Sequence, residues 1–267
     1  MPNTNINRKI VLAQRRLYDI SSIEYFAALA TQPTVARKAI INTLVVELKR
    51  IGAWSLIDRL WLFASETQQA ATISLVNPLS TAITEVNSPA WVADQGYTSD
   101  GLTSYLDTNF NPSTQALKYT LNDAYFGVYN RTNVAENTNH GHFDATNATL
   151  MVDRSATDTA TARINQTVVA STISVANTDS RGLISVRRSS SSDIAIFRNG
   201  SSLGTGTVTS NGIPNNNMYF LARNAAGTPG TFSTKQHSIA FVSSSGVPVV
   251  SFYNAIQTYM TALGTQV

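Results

Sequence analysis

Gly182-Leu183-Ile184-Ser185-Val186-Arg187-Arg188, the serine run Ser189 to Ser192, Asp193-Ile194-Ala195-Ile196-Phe197-Arg198 and Asn199-Gly200 follow one another without interruption. This stretch decides the class of fold. Both apolar runs alternate or are β-branched, the serines suit an exposed hairpin loop, and Asn-Gly tolerates positive φ at both centres of a tight reversal. A chain that reverses twice in this way is an antiparallel meander.

The same rhythm runs outward in both directions from about residue 66 onward, with Gly, Asn, Asp and Ser punctuating the chain. It predicts strands over 60–65, 71–76, 81–86, 103–107, 125–130, 149–154, 160–166, 182–188, 193–198, 219–223 and 238–243. So many strands exceed what one open sheet carries without splitting. The expectation is a mainly β, two-sheet antiparallel sandwich.

Helical spacing brackets this body. From Thr34 to Ile51 the residues Val35, Ile40, Ile41, Leu44, Val45, Leu48 and Ile51 recur on one face, with Thr34 as N-cap and Gly52 at the C-terminal stop. A second, irregular helical pattern runs from about Ile6 to Leu29. After Pro248, the residues Val249, Phe252, Ile256, Tyr259, Met260 and Leu263 predict a short helix that Gly264 ends and that closes the sandwich at an edge or open end. The chain therefore divides into a helical anchor or assembly segment, 1–53, and a sandwich domain, 54–267. The stripe of Val35, Ile41, Leu44, Val45 and Leu48 is the candidate assembly interface, and it could equally pack on its own sandwich.

Composition narrows the function. The chain has 267 residues, 43% of them hydrophobic, which is enough for a real core. Only 13% are charged, and Ser, Thr and Asn take the surface instead. The formal net charge of +3 comes from scattered arginines; the tight basic groups are Arg8, Lys9, Arg15, Arg16 and the pair Arg187, Arg188. No nucleic-acid partner is expected from so thin a stripe. Cysteine is absent, which removes disulfides, thiolate zinc, cysteine nucleophiles and iron–sulfur clusters. The first residues show no secretory pattern, and no apolar run is long enough for a membrane span.

Chemical motifs are sparse. Gly204-Thr205-Gly206 lacks the third glycine and the helix of a phosphate loop, so no cofactor is expected. No glutamate follows Glu136, and no strand carries the Glu-x-Asp-x-x-Glu acids of sandwich glucanases. On that ground the expectation is no enzymatic activity, with a polysaccharide-degrading, glucanase-like enzyme as the competing reading. His140-Gly141-His142-Phe143-Asp144, if extended, puts two imidazoles and a carboxylate on one face with metal-compatible spacing; if it is a loop, as Gly141 suggests, the histidines are simply solvated. Trp91, Tyr97, Tyr105 and Tyr129, near Asp94, Asp100, Asp107 and Asn130, are candidates for a sugar-stacking platform and compete for that role with packing in the core.

Several segments in order resemble one module. Asn87-Ser88-Pro89, Ala93-Asp94-Gln95-Gly96-Tyr97, Ser104-Tyr105-Leu106-Asp107-Thr108 and Asn109-Phe110-Asn111-Pro112 are similar to the opening of concanavalin A-like, laminin G-like sandwiches of bacteriophage particle proteins. Phe126-Gly127-Val128-Tyr129-Asn130-Arg131-Thr132, Ile196-Phe197-Arg198-Asn199-Gly200 and Phe252-Tyr253 through Gly264 continue the resemblance over residues 54–267. It implies a two-sheet jelly roll on the virion surface, in fibres, tail, baseplate or capsid decoration. It also implies homo-oligomers, attachment to other virion proteins through the N-terminal segment, possible contact with host surface polysaccharide, and no catalytic residue.

Overall fold

The double reversal is built as its residues dictate. Gly182–Arg188 pairs antiparallel with Asp193–Arg198, Ile184 facing Arg198 and Arg188 facing Ile194. Asn199 and Gly200 then take φ of 50° and 80°, and the chain returns along Ser201–Thr207.

The computed structural model describes residues 17–267. Its helices are α1 (Ile20–Ala28), α2 (Val35–Arg50), α3 (Gln68–Thr72), α4 (Pro112–Gln115) and α5 (Val249–Ala262). The strands are β1 (Ile57–Leu62), β2 (Thr84–Val86), β3 (Ala90–Val92), β4 (Gly96–Thr98), β5 (Tyr105–Asp107), β6 (Ala124–Asn130), β7 (His140–Phe143), β8 (Asn147–Val152) and β9 (Thr159–Thr167). They continue as β10 (Ile173–Ala176), β11 (Gly182–Arg188), β12 (Asp193–Arg198), β13 (Ser201–Thr207), β14 (Tyr219–Phe220), β15 (Arg223–Ala225), β16 (Thr228–Gly230) and β17 (Gln236–Ser243).

Eight strands form one sheet in the order β13-β12-β11-β6-β17-β4-β3, with β1 also on β17. Nine form the other, in the order β10-β9-β8-β7-β14-β5-β2, with β15 on β7 and β16 on β15. Pairing is antiparallel throughout except for β15 on β7. The expected two-sheet jelly-roll sandwich is therefore present.

Alternation along β6 explains how the layers stack. Phe126 and Val128 point into the core between the sheets, beside Trp61, Ile184, Val186, Ile196, Met151, Ile164, Phe220 and Val242. Tyr125 and Tyr129 point the other way, into a second core with Leu60, Leu62, Phe241, Phe252, Tyr259 and the apolar faces of α1 and α2. The eight-stranded sheet is thus buried on both faces, and the helices are a third layer. This corrects two expectations. Helix α5 covers a sheet face rather than closing an edge or end. Residues 17–53 share one core with the sandwich rather than standing apart from residue 54 onward; the rest of the first segment, including Arg8, Lys9, Arg15 and Arg16, lies outside the described residues.

The assembly stripe is corrected with them. Helix α2 starts where Thr34 accepts a hydrogen bond from the Arg37 amide, as its N-cap role requires. Ile41, Leu44, Val45 and Leu48 are buried inside the chain's own core, so they cannot face a partner, while Val35 in the first turn stays exposed. Arg37 anchors the helix to the turn after β3 through a 2.6 Å ion pair with Asp94. Among the described residues no helix is long and apolar enough to cross a membrane.

Two strand expectations fail for local reasons, and so does the loop alternative for His140 to Phe143. Residues 71–76 begin in α3, because the Thr67 side chain caps the Ala70 amide and starts a helical turn; only Ser74 then bridges to Trp61. The run 219–223 is split into β14 and β15 at Leu221, whose φ is 65°. His140 to Phe143 is strand β7, not loop.

Candidate functional site

The aromatic platform expected for sugars is inside the protein. Tyr97 is fully buried against Phe63, Tyr105 stacks on Tyr219 with ring centroids 4.7 Å apart, and Tyr129 is buried and donates its hydroxyl to Gln257. Trp91 is half-buried, with its indole nitrogen donating to the Phe63 carbonyl at 3.0 Å. Tyr97 lies in the core between the sheets, Tyr129 in the core under the helices, and Tyr105 in a small separate cluster with Tyr219 and Phe232, so none of the three tyrosines offers a face to a ligand. Arg188, half of the basic pair, is also buried; its guanidinium donates to the carbonyls of Ile164 and Val208.

The outer face of the nine-stranded sheet offers a different surface. Arg163 on β9 pairs with Leu150 on β8, Leu150 pairs with Gly141 on β7, and Gly141 pairs with Arg223 on β15, so the row shares one face. Asn139, Leu150, Thr161, Arg163, Thr172 and Arg223 enclose a recess of about 230 Å³. Arg163 is steadied by a 3.0 Å hydrogen bond to the Thr172 hydroxyl, and burial holds its guanidinium below the usual arginine range. Arg223 lies over the Phe143 ring at 5.2 Å, and its Nε is buried without a partner. Neither arginine takes part in an ion pair among the described residues, and residues 1–16 contain no Asp or Glu. Two cations flank one groove with no carboxylate between them.

The inner face holds the second arrangement. His140 opens β7, Asp153 follows β8, and His237 lies on β17 opposite Asn130, the last residue of β6. His140 pairs with Met151, so Asp153, two residues on, points to the same side. The two imidazoles thus come from opposite sheets and meet with centroids 5.4 Å apart. One donor atom from each of His140, Asp153 and His237 lies within 4.8 Å of the others, and all three residues are buried. Burial depresses both histidines, His237 well below the ordinary value, so each imidazole is neutral near pH 7.

The metal trio read from the sequence is therefore reshuffled. His140 stays. His142 is buried elsewhere, its Nδ1 2.8 Å from the Asn216 carbonyl, and burial lowers it to about 4. Asp144 accepts from the amides of Thr146, Asn147 and Asn215 in a turn. Asp153 and His237 join instead, from positions no local motif connects. Arg163 does carry a sequence signal. It replaces a small polar residue in the outward register of Thr159, Thr161 and Arg163, whose inward neighbours are Ala160, Ala162 and Ile164.

Neither a protein-family model nor a curated protein sequence matches the chain. Among solved structures it is similar to Trypanosoma rangeli sialidase in complex with 2-keto-3-deoxy-D-glycero-D-galacto-2,3-difluoro-nononic acid, with a TM-score of 0.53, 8% identity and 83% of this chain covered. A mutant of that sialidase displaying trans-sialidase activity gives the same TM-score of 0.53 at 8% identity and 83% coverage. The chain spans 39% of the length of these sialidase chains. Domain 4 of AbnA, a GH43 extracellular arabinanase from Geobacillus stearothermophilus, in complex with arabinotriose, aligns over 74% of this chain with 10% identity and a TM-score of 0.34. At such identity the sialidase likeness establishes the fold. It also corrects the expectation of no enzymatic activity. That expectation rested on the missing acids of a glucanase strand, whereas the similar structures are sialidases, which lie outside the paired-carboxylate rule.

Proposed function

We propose that the chain is a glycan-binding sandwich module whose ligand carries a negative charge, held in the groove between Arg163 and Arg223. The observation that carries this reading is the pair of uncompensated guanidinium groups on one sheet face. Arginine recognises carboxylates through a planar fork, and Phe143 beneath Arg223 fixes that fork's orientation. Asn139, Thr161 and Thr172 add amide and hydroxyl groups for neighbouring sugar hydroxyls. The recess of 230 Å³ is smaller than the roughly 300 Å³ of an enclosed small-molecule pocket. It suits one charged residue of a longer saccharide.

The finer reading is that this module sits on the surface of a bacteriophage particle, joined to other particle proteins, and touches host polysaccharide. The sequence resemblance over residues 54–267 supports it, as does a surface of hydroxyls and amides with only 13% charged residues. Weak single-site binding would be raised by avidity among copies. Labelled antibody imaged on particles tests this placement, and an unlabelled particle surface refutes it.

The groove is tested by calorimetry with sialyllactose or a uronic-acid oligomer against lactose. The acidic sugars are expected to bind preferentially, with affinity falling as salt rises. Arg163→Ala and Arg223→Ala are each expected to weaken binding about tenfold, since a hydrogen bond to a charged group contributes about 1.5–3 kcal/mol. Equal binding of neutral and acidic sugars, or unchanged affinity in both variants, rejects the groove. Sugar release in the same mixtures measures turnover directly.

A further inference from the structure

We infer that His140, Asp153 and His237 form a buried site for a divalent transition-metal ion, which ties the two sheets together where β6 and β8 end and β7 and β17 begin. The site is independent of the glycan groove on the outer face. Its donors are two imidazoles and one carboxylate, a set that suits zinc, cobalt or ferrous iron.

The geometry distinguishes this from a plain buried ion pair. His140 Nε2 and Asp153 Oδ1 are 3.2 Å apart, yet both atoms are buried and neither makes a hydrogen bond. Ligands about 2.0–2.1 Å from a tetrahedral zinc are separated by about 3.3 Å, close to what His140 and Asp153 already show. A His140–Asp153 pair would also leave His237 unexplained, because both of its ring nitrogens are buried without a partner. Closing the 4.8 Å span to ligand spacing needs a movement of about 1.5 Å.

The surroundings complete the case. Asn130 Nδ2 donates to Asp153 Oδ2 at 2.8 Å, the outer-shell contact that orients a ligating carboxylate. Its own Oδ1 is buried without a partner. The nearby Lys235 is neutralised by Glu136 at 2.9 Å. Among the described residues no lysine or arginine pairs with Asp153.

The test uses the full chain, stripped with chelator and titrated with zinc and with cobalt. The expected results are uptake of one ion per chain, a rise in melting temperature, and visible cobalt bands of a four-coordinate nitrogen and oxygen site. His237→Ala and Asp153→Asn are expected to weaken uptake at least about tenfold, whereas Asp144→Asn retains it. Absence of stoichiometric uptake by the folded wild-type chain overturns the proposal without reference to any variant. So does uptake that survives unchanged in both the His237 and Asp153 variants.

Discussion

Glu136 shows how much a single tertiary contact can do. Its side chain lies against Lys235, which is only 1% exposed, and it accepts from Ser233, from the Thr234 amide and hydroxyl, and from the Lys235 ammonium at 2.9 Å. Burial pushes the carboxyl up, but the charge of Lys235 and these donors outweigh it and hold Glu136 at about 2, below its ordinary 4.5. The unfolded chain therefore takes up a proton that the folded chain refuses. The pair's contribution is full above about pH 4.5 and is lost as pH falls toward 2. Glu136→Gln is expected to cost about 3–5 kcal/mol at neutral pH, by leaving Lys235 buried and unpaired, and to flatten the acid limb of stability. Urea titrations from pH 7 downward measure both effects; an acid limb as steep as wild type contradicts the assignment. None of this is legible in sequence, because Glu136 and Lys235 are 99 positions apart and a lone lysine between Thr234 and Gln236 reads as surface. The inner histidine cluster is hidden for the same reason. His140 and Asp153 belong to one sheet and His237 to the other, while the local pattern His140-Gly141-His142 suggests a pairing the fold does not make.

Elements are legible where their signal is local. The strands 182–188 and 193–198 are found at their predicted bounds because alternation and Asn199-Gly200 act within neighbouring residues. Strand β13 escapes because its glycines hide the alternation. A Cβ at Gly204 would lie 2.5 Å from Val175 and one at Gly206 2.5 Å from Ile173, so these glycines let β10 cross closely. Their spacing is a packing requirement, not a phosphate loop. Helix α2 is read correctly as an element but not in its role, since a periodic stripe does not say what covers it. Leu48 is fully buried and Val35 is 78% exposed. Leu48→Ala is therefore expected to destabilise the chain by about 2–5 kcal/mol, and Val35→Ala to stay within about 0.5 kcal/mol. Denaturant unfolding of the two variants checks this. A Leu48 variant that changed oligomeric mass but kept its unfolding midpoint would restore the stripe to an intermolecular seam.

At the scale of the molecule, the covering of the eight-stranded sheet is the structural consequence that sequence patterning hid. A sheet buried on one face alternates cleanly, but every residue of β6 and of β17 is buried, because α1, α2 and α5 lie on the far side. The helical layer contributes Tyr25, Phe26, Ile41, Leu44, Val45 and Leu48 to that second core. Each such side chain gains about 1.5–3 kcal/mol from burial, while a whole domain retains only about 5–15 kcal/mol of net stability. Losing α1 and α2 therefore removes contributions comparable to the whole margin and uncovers the part of the sheet face they share, while α5 still holds Phe252 against Phe241. A fragment of residues 54–267 is expected to be aggregated or without fixed packing. Size-exclusion chromatography and near-ultraviolet circular dichroism read this directly. A monomeric fragment that unfolds cooperatively near the wild-type midpoint would instead show that the helices are an appendage, free for assembly, and that the sandwich is complete without them.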